Sequence, residues 1–270
     1  MNALLNGHSL TTPEAQLLLN RGFRYGDGCF ETIMLHKGTA PLLHLHLQRL
    51  QKSLPLLQLN WPEALQLPSL LQPFAEGSTE WQRLRLWLWR SGDGLYTPQS
   101  QETQFALMAE ASAPPQTAIR KSVGLCQHTR LAASRWSFIK SISAQAYVQA
   151  SLEKKEKGVE ELLLLNEKGE LVEASSANLF IKKRNRWFTP ALSTGCVAGV
   201  MRAHLMQQLL QKGEPAYEVH ALPEELEKVD KVVCTNVGGL YPLQQYGERH
   251  YNTDIDELLE LLPPAYRQAL

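Results

Sequence analysis

Leucines occupy every second position in residues 83–89, and this alternation constrains the fold more than any other feature of the sequence. A period of two over residues 81–89 is typical of a strand with one buried face. Residues 103–109 predict a partner strand beyond a loop, and residues 30–35 predict a further strand. Leucines at 43, 47, 50 and 54 lie on one face of a predicted amphipathic helix over residues 42–54. We therefore predict an α+β (mixed α/β) fold with an antiparallel sheet.

The length of 270 residues predicts one or two domains. Around residues 111–117 the chain has the adjacent prolines Pro114 and Pro115 and few large apolar side chains, which is typical of a connection between domains. We therefore predict a smaller N-terminal α+β domain over residues 1–112, a linker over 113–119 and a larger C-terminal cofactor-binding domain over 120–270.

Short apolar runs predict the elements outside the first sheet. A strand is expected near residues 3–5, and Thr235-Asn236 with Gly238-Gly239 should end a later strand and leave backbone N–H groups free. Other predicted strands are 123–127, 161–165, 171–173, 179–182, 187–189 and 231–234; predicted helices are 144–157, 199–212 and a surface helix at 254–262.

Charge and cysteine content limit the classes of partner. Lys and Arg (27) balance Asp and Glu (27), so no net charge attracts the chain to nucleic acid or an anionic membrane. The four cysteines are far apart and form no zinc-binding spacing, which predicts free thiols and no metal site. The sequence shows neither a signal-peptide pattern nor an apolar run of membrane-spanning length. We expect a cytoplasmic protein.

Lys140 lies in an apolar stretch, Trp-Ser-Phe-Ile-Lys-Ser-Ile, over residues 136–142. Removal from water lowers the pKa of a lysine and frees its amine for attack on a carbonyl group. The alternative is a lysine at a strand end, with its apolar stem buried and its charged group in water. The residues alone leave both interpretations open.

Six short motifs follow one another along nearly the whole chain. They are Tyr25-Gly-Asp-Gly-Cys-Phe-Glu-Thr-Ile33, His46-Leu-Gln-Arg-Leu50, Ile139-Lys140-Ser141, Glu173-Ala-Ser-Ser-Ala-Asn-Leu-Phe180, Thr189-Pro190 and Gly195-Cys-Val-Ala-Gly-Val-Met-Arg202. Each is a weak pattern alone, but their order and spacing resemble the fold-type IV (aminotransferase class IV) family of pyridoxal-phosphate enzymes. The resemblance implies a two-domain fold like that of D-amino-acid aminotransferases, with pyridoxal 5'-phosphate as the cofactor.

The resemblance also implies roles for individual residues. Lys140 matches the catalytic lysine that bonds to the cofactor, and Glu173 matches the glutamate that pairs with the protonated pyridine nitrogen, which keeps the ring an electron sink. Taken singly, Glu173 is more typical of a solvated carboxylate, and Arg49 of a surface arginine on a helix. Phosphate binding favours a cation and backbone N–H groups at a helix start. The residues that match the cofactor-phosphate site are Arg49, Gly199, Val200, Met201, Thr235 and Asn236.

The motifs leave the reaction open between two members of the family. A 4-amino-4-deoxychorismate lyase expels pyruvate and forms 4-aminobenzoate for folate synthesis, and residues 196–202 favour this activity. An amino-acid aminotransferase, for branched-chain or D-amino acids, is the alternative. A binding module that retains the fold without catalysis is a third, and Lys140 and Glu173 argue against it.

Substrate contacts are predicted from position along the chain. Arg85 and Arg90 lie on or just after the alternating strand and are candidates for the carboxylate of a small-molecule amino substrate; a solvated strand face is the alternative. Tyr25 and Phe30 flank the glycine-containing segment and are further candidates. Relatives of this family have the active site near a subunit interface, so a homodimer is expected.

Overall fold

The computed structural model describes residues 4–6, 8–9, 11–12, 18–75 and 81–270. No helix in these ranges is both long and apolar enough to cross a membrane. The helices are α1 (Arg21–Tyr25), α2 (Leu43–Leu56), α3 (Leu67–Leu70), α4 (Gln72–Ala75), α5 (Gln145–Lys157), α6 (Val200–Gln211), α7 (Asp256–Leu259) and α8 (Pro264–Arg267). The strands are β1 (Leu4–Leu5), β2 (His8–Ser9), β3 (Gly28–His36), β4 (Trp81–Arg90), β5 (Thr103–Ala111), β6 (Gln116–Thr117), β7 (Val123–Leu131), β8 (Glu161–Asn166), β9 (Leu171–Ala174), β10 (Asn178–Lys183), β11 (Arg186–Pro190), β12 (Tyr217–Val219), β13 (Lys231–Asn236), β14 (Gly239–Pro242), β15 (Gln245–Tyr246) and β16 (Arg249–His250).

The sheet of the first half is antiparallel, in the order β3-β4-β5. Leu84, Leu86 and Leu88 of β4 are fully buried on one face, where they pack with Leu50 and Leu54 of α2. Burial of these side chains stabilises both the strand and the helix, by roughly 2 kcal/mol for each leucine. The predicted antiparallel sheet, the amphipathic helix and the α+β class are confirmed.

A larger sheet forms the centre of the second half. Its order is β12-β11-β10-β13-β14-β6, and a separate three-stranded sheet has the order β7-β8-β9. Strand β10 is antiparallel to both of its neighbours, β11 and β13. Helix α6 packs Val200, Leu205 and Leu209 into a core that also contains Phe180 and Val233 of this sheet. The sheet therefore brings the end of β13 and the start of β10 close to the start of α6.

The two halves share one hydrophobic core. Met34, Leu45 and Trp81 belong to the same buried cluster as residues of α6 and the C-terminal helices. The rings of Trp81 and Tyr266 meet edge to face, with centroids 5.4 Å apart. The predicted linker crosses between the halves, and its Gln116–Thr117 forms strand β6, which pairs in parallel with β14. The division at residues 113–119 stays a prediction.

The surface helix predicted over residues 254–262 is confirmed only in part. Helix α7 covers only Asp256–Leu259, and α8 begins at Pro264 after a break. Ile255, Leu258 and Tyr266 are buried in the shared core. A proline has no N–H group and restricts the residue before it, which accounts for the break before α8. Strand β1 overlaps the strand predicted near residues 3–5, of which Ala3 lies outside the described residues.

Candidate active site

A cavity of about 560 Å³ lies between the β3-β4 face that points away from α2 and the loops of the second half. This volume is in the range of cavities that hold small molecules and cofactors. Its lining includes Phe30, Thr32, Met34, Arg49, Arg83, Arg85, Trp87, Lys140, Ser141, Tyr147, Glu173, Asn178, Val197, Gly199, Val200, Thr235, Asn236 and Tyr241.

Backbone pairing with the edge of β3 holds Lys140 at this cavity. The Phe30 N–H donates to the Lys140 carbonyl at 2.9 Å, and the Ile142 N–H donates to the Gly28 carbonyl at 3.2 Å. The Lys140 side chain lines the cavity, with Nζ 4.7 Å from the centre of the Phe30 ring.

The surroundings of Lys140 lower the pKa of its amine. Burial, aided by the Arg49 charge, lowers its pKa, while the carboxylates of Glu173 and Glu31 oppose the shift. Within the described ranges, Nζ has neither a hydrogen-bond nor an ion-pair partner. A neutral amine in a cavity can act as a nucleophile or as a base.

Glu173, near the end of β9, is buried and accepts three hydrogen bonds. The Tyr147 hydroxyl donates to Oε1 at 2.5 Å, while Asn178 Nδ2 and the Val197 N–H donate to Oε2 at 3.0 and 3.2 Å. Burial raises the pKa of Glu173 to about 7, although the hydrogen bonds from Tyr147 and Val197 and the charges of Lys140 and Arg202 lower it in part. A cation beside the carboxylate would favour its ionised form.

The start of α6 and the end of β13 form one end of the cavity. Gly199 caps α6, and a Cβ atom there would lie only 1.7 Å from Asn178 Oδ1, so the close packing requires glycine. Thr235 Oγ1 is buried and has no hydrogen-bond partner among the described residues. Unpaired donors beside the N-terminus of a helix favour an anion. Val200 and Asn236 also line this end.

Met201 differs from the other members of the predicted phosphate site. Its side chain is 1% exposed and packs in the shared core. It is absent from the described lining of the cavity, which reaches α6 at Gly199 and Val200. The Met201 side chain therefore lies outside the described lining of the cavity, and the cofactor contact expected from the turn at residues 199–201 stays a prediction for this residue.

Arg49 is buried and tied to both halves of the chain. Its Nε donates to Glu31 Oε1 at 2.8 Å, its Nη2 donates to Oε2 of the same carboxylate, and its Nη1 donates to the Ala198 carbonyl at 2.9 Å. His46 Nδ1 lies 2.7 Å from Glu31 Oε2. Burial opposes ionisation of Glu31, but the Arg49 charge and the bonds from His46 and Arg49 lower its pKa to about 2. Arg49 thus fixes the residue that precedes Gly199.

The predicted substrate residues separate into two groups. Phe30 and Arg85 line the cavity, whereas Tyr25 and Arg90 are absent from its described lining. The Tyr25 ring packs 5.6 Å from that of Tyr96, and Arg24 donates to its hydroxyl. Tyr25 is thus outside the described lining of its own chain's cavity, and its contact with substrate stays a prediction.

Arg90 is a structural residue rather than a substrate ligand. Its guanidinium group donates to Asp27 at 2.9 Å and to the carbonyls of Gln58 and Ser100 at 2.9 and 3.1 Å. It lies on the opposite face of β4 from Arg85 because the two are separated by an odd number of residues. The prediction that Arg90 binds substrate is wrong.

Several residues of the cavity are absent from the sequence-based prediction, and three of them bear on its chemistry: Arg83, Asn178 and Tyr147. Arg83 shares the strand face of Arg85, and the period of two could have identified it. Asn178 lies in the motif that contains Glu173. Tyr147 follows Lys140 by seven residues, and its contact with Glu173 depends on how α5 packs against β9.

The cysteines and acidic residues form no metal centre in the described ranges. Cys29, Cys126, Cys196 and Cys234 are buried and unpaired, which confirms the prediction of free thiols. No group of three or more His, Cys, Asp or Glu side chains is placed to hold a metal ion within the residues that the structure describes.

Comparison with known proteins shows the family to which the chain belongs. The model of the family described as "Amino-transferase class IV" matches residues 28–246. An aminodeoxychorismate lyase from Vibrio harveyi is 27% identical over 83% of this chain and 84% of its own, and a D-alanine aminotransferase from Bacillus licheniformis is 24% identical over 87% and 84%. The crystal structure of 4-amino-4-deoxychorismate lyase from Pseudomonas aeruginosa has a TM-score of 0.76 at 26% identity, covering 90% of this chain and 92% of that one. The chain therefore belongs to the class IV amino-transferase family of pyridoxal-phosphate-dependent enzymes.

Proposed function

We propose that the cavity binds pyridoxal 5'-phosphate through Lys140, Glu173 and the anion site at the start of α6. The fit rests on the free amine of Lys140, the buried carboxylate of Glu173 and the unpaired Oγ1 of Thr235, which all belong to one cavity. When bound, the cofactor withdraws electrons from the substrate carbon that carries the amino group.

The residues around the cavity have separate tasks in this proposal. Glu173 holds a proton on the pyridine nitrogen, and Tyr147 and Asn178 fix the carboxylate for that contact. Thr235, Asn236 and the N–H groups at the start of α6 bind the phosphate, while Arg49 positions Gly199. Lys140 Nζ, once free, removes the proton from the substrate carbon as a general base. Phe30 limits the access of water to this amine.

We propose that the reaction is the conversion of 4-amino-4-deoxychorismate into 4-aminobenzoate and pyruvate. The observation that carries this choice is the match to an aminodeoxychorismate lyase over more than four fifths of both chains. The 26% identical lyase structure and its agreement in fold also support it. Formation of an aromatic ring supplies the driving force for the loss of pyruvate.

Release of pyruvate tests the lyase directly. Holoenzyme incubated with 4-amino-4-deoxychorismate is expected to form pyruvate and 4-aminobenzoate in equal amounts, because one bond cleavage yields both. Pyruvate is followed with lactate dehydrogenase, and 4-aminobenzoate by chromatography. Boiled protein is the control, and a holoenzyme that forms neither product would contradict the proposal.

An amino-acid aminotransferase is the second candidate. The match to D-alanine aminotransferase, also over most of both chains, favours it. The same cavity residues would serve this reaction, since proton removal at the amino-bearing carbon begins both. Formation of glutamate from 2-oxoglutarate, with D-alanine or a branched-chain amino acid as donor and without pyruvate release from aminodeoxychorismate, would identify the aminotransferase.

We further propose that the protein acts as a cytoplasmic homodimer. The family resemblance supports this assembly, and β5 is an edge strand of its sheet, with Met108 exposed. Light scattering of the holoenzyme is expected to give twice the chain mass of 30.4 kDa. A mass of one chain at micromolar concentration would contradict the dimer.

A further inference from the structure

A serine, a histidine and a glutamate meet on the surface of the second half, outside the candidate active site. Ser193 Oγ lies 2.8 Å from His220 Nε2, and His220 Nδ1 lies 3.1 Å from Glu170 Oε2. None of these three side chains is in the described lining of the cavity. The same order of contacts, from hydroxyl to imidazole to carboxylate, activates the nucleophile of serine hydrolases on unrelated folds.

Two parallel strands bring the serine and the histidine together. Strands β11 and β12 pair in parallel, so both end at the same edge of the sheet. Beyond their ends, the Ala191 N–H donates to the Val219 carbonyl at 2.9 Å. Ser193 follows β11 in the short turn Leu192–Thr194, and His220 directly follows β12. The sheet therefore places the two side chains next to each other.

The carboxylate is held by the turn before β9. The Leu171 N–H donates to the Ala221 carbonyl at 2.7 Å, which places Glu170 beside the histidine. Asn166 Nδ2 donates to Glu170 Oε2 at 2.7 Å and to the Thr194 carbonyl at 3.1 Å. One amide group thus fixes both the carboxylate and the turn that carries the serine.

The hydrogen-bond partners decide which nitrogen of His220 can take a proton. An ionised carboxylate only accepts hydrogen bonds, so the neutral ring carries its hydrogen on Nδ1 and has a lone pair on Nε2. The bonds from Asn166 and His220 lower the pKa of Glu170, which favours the ionised carboxylate. Nε2 therefore accepts the hydrogen bond from the Ser193 hydroxyl, as a general base requires.

The serine and the histidine are open to solvent. Ser193 is exposed, and the His220 side chain is 45% exposed. A reagent can therefore reach the hydroxyl without a change in the fold. Because an open site does little to stabilise negative charge on a carbonyl oxygen, it suits acyl donors whose leaving group is already a stable anion. Aryl esters of short carboxylic acids belong to this class.

We propose that Ser193, His220 and Glu170 form a second catalytic site, which hydrolyses aryl esters of short carboxylic acids. Ser193 Oγ attacks the carbonyl carbon while His220 Nε2 takes the hydroxyl proton. The bond to the aryl oxygen then breaks, and the phenol leaves with that proton. Water gives a proton to the same nitrogen and attacks the acyl-serine, and the serine oxygen leaves with this proton as the free acid is released. Glu170 is a positioning residue that orients the ring and stabilises its protonated form.

Hydrolysis of 4-methylumbelliferyl acetate by the holoenzyme tests this site, with the fluorescence of the released phenol as the readout. Ser193→Ala and His220→Gln are each expected to lower kcat/KM by roughly a hundredfold, the lower end of the range for general-base catalysis. Glu170→Gln keeps a hydrogen-bond acceptor but loses the charge, so kcat should fall about tenfold while KM stays within twofold. Mass spectrometry of acid-quenched wild-type protein should find the acetyl group on the peptide that contains Ser193.

Two controls separate this site from other surface groups and from the cavity. His250→Gln removes an exposed histidine of β16 and should leave ester hydrolysis unchanged. Ser193→Ala should keep the thermal unfolding midpoint and the cofactor absorbance of the wild type. Loss of ester hydrolysis in that intact variant supports the second site whatever reaction the cavity performs. Full ester hydrolysis in Ser193→Ala, an equal loss in His250→Gln, or acetyl groups on other residues alone would overturn it.

Discussion

Replacement of Lys140 by alanine is expected to lower turnover by about 10⁴-fold or more, because one side chain supplies both the nucleophilic amine and the general base. The amine lies in the cavity with a lowered pKa and has no competing partner among the described residues. Pyruvate release from aminodeoxychorismate measures the loss. Borohydride reduction of the wild-type holoenzyme should fix the cofactor on the peptide that contains Lys140, as seen by mass spectrometry.

Two variants control for charge and for surface lysines. Lys140→Arg retains a positive charge but cannot release a proton at neutral pH, so it should be as inactive as the alanine variant. Lys168→Ala removes an exposed lysine of the turn between β8 and β9 and should remain fully active. Cofactor fixed to another lysine in the reduced protein would disprove the assignment of Lys140.

Replacement of Glu173 by glutamine is expected to lower turnover by roughly 10²- to 10³-fold while the protein still binds the cofactor. Glutamine has nearly the same shape but no charge to hold a proton on the ring nitrogen. Single-turnover kinetics should place the loss in proton removal, and a titration of cofactor absorbance should show binding retained. Tyr147→Phe, which removes one hydrogen bond and keeps the carboxylate, should have a smaller effect. Unchanged turnover in Glu173→Gln would remove this residue from the mechanism.

The raised pKa of Glu173 also makes the free energy of unfolding of the cofactor-free protein depend on pH. The folded-state pKa is about 7, above the ordinary value of 4.5, so the folded state binds this proton more tightly than the unfolded state. Stability due to this group is therefore present at low pH and is lost as the pH rises from about 4.5 to 7. The change in the free energy of unfolding is on the order of 3 kcal/mol. Urea unfolding of wild type and Glu173→Gln at pH 5 and pH 8 should show this difference, and parallel pH profiles would contradict the shift.

Local periodicity was sufficient to predict the first sheet and the helix against it. The buried leucines recur every two residues in β4 and every three or four residues in α2. The first period fits a strand and the second fits a helix. The C-terminal segment shows where local periodicity fails to predict the structure. Ile255, Leu258 and Tyr266 are spaced much as in an amphipathic surface helix, but they pack into a core supplied by distant parts of the chain.

Site residues that belong to a recognisable motif could be predicted from the sequence. Site residues that are positioned by packing between distant elements could not. Lys140, Glu173 and Gly199 lie in recognisable motifs, and the structure brings them to one cavity. The position of Arg90 follows from the alternation of β4, which places it on the face opposite Arg85. Tyr147 could not be inferred, since its bond to Glu173 joins residues of α5 and β9 that no sequence pattern links.

The pairing of Ser141 with Cys29 at the edge of β3 has a consequence for inheritance. The reactive lysine is encoded in the second half of the gene, but the strand that holds it is encoded in the first. A chimaera of two relatives joined between β5 and β7 would combine a lysine segment from one parent with a β3 edge from the other. Recombination between β5 and β7 therefore separates β3 from the residues around Lys140, although these two segments have to fit each other. Functional chimaeras are expected to take both segments from the same parent.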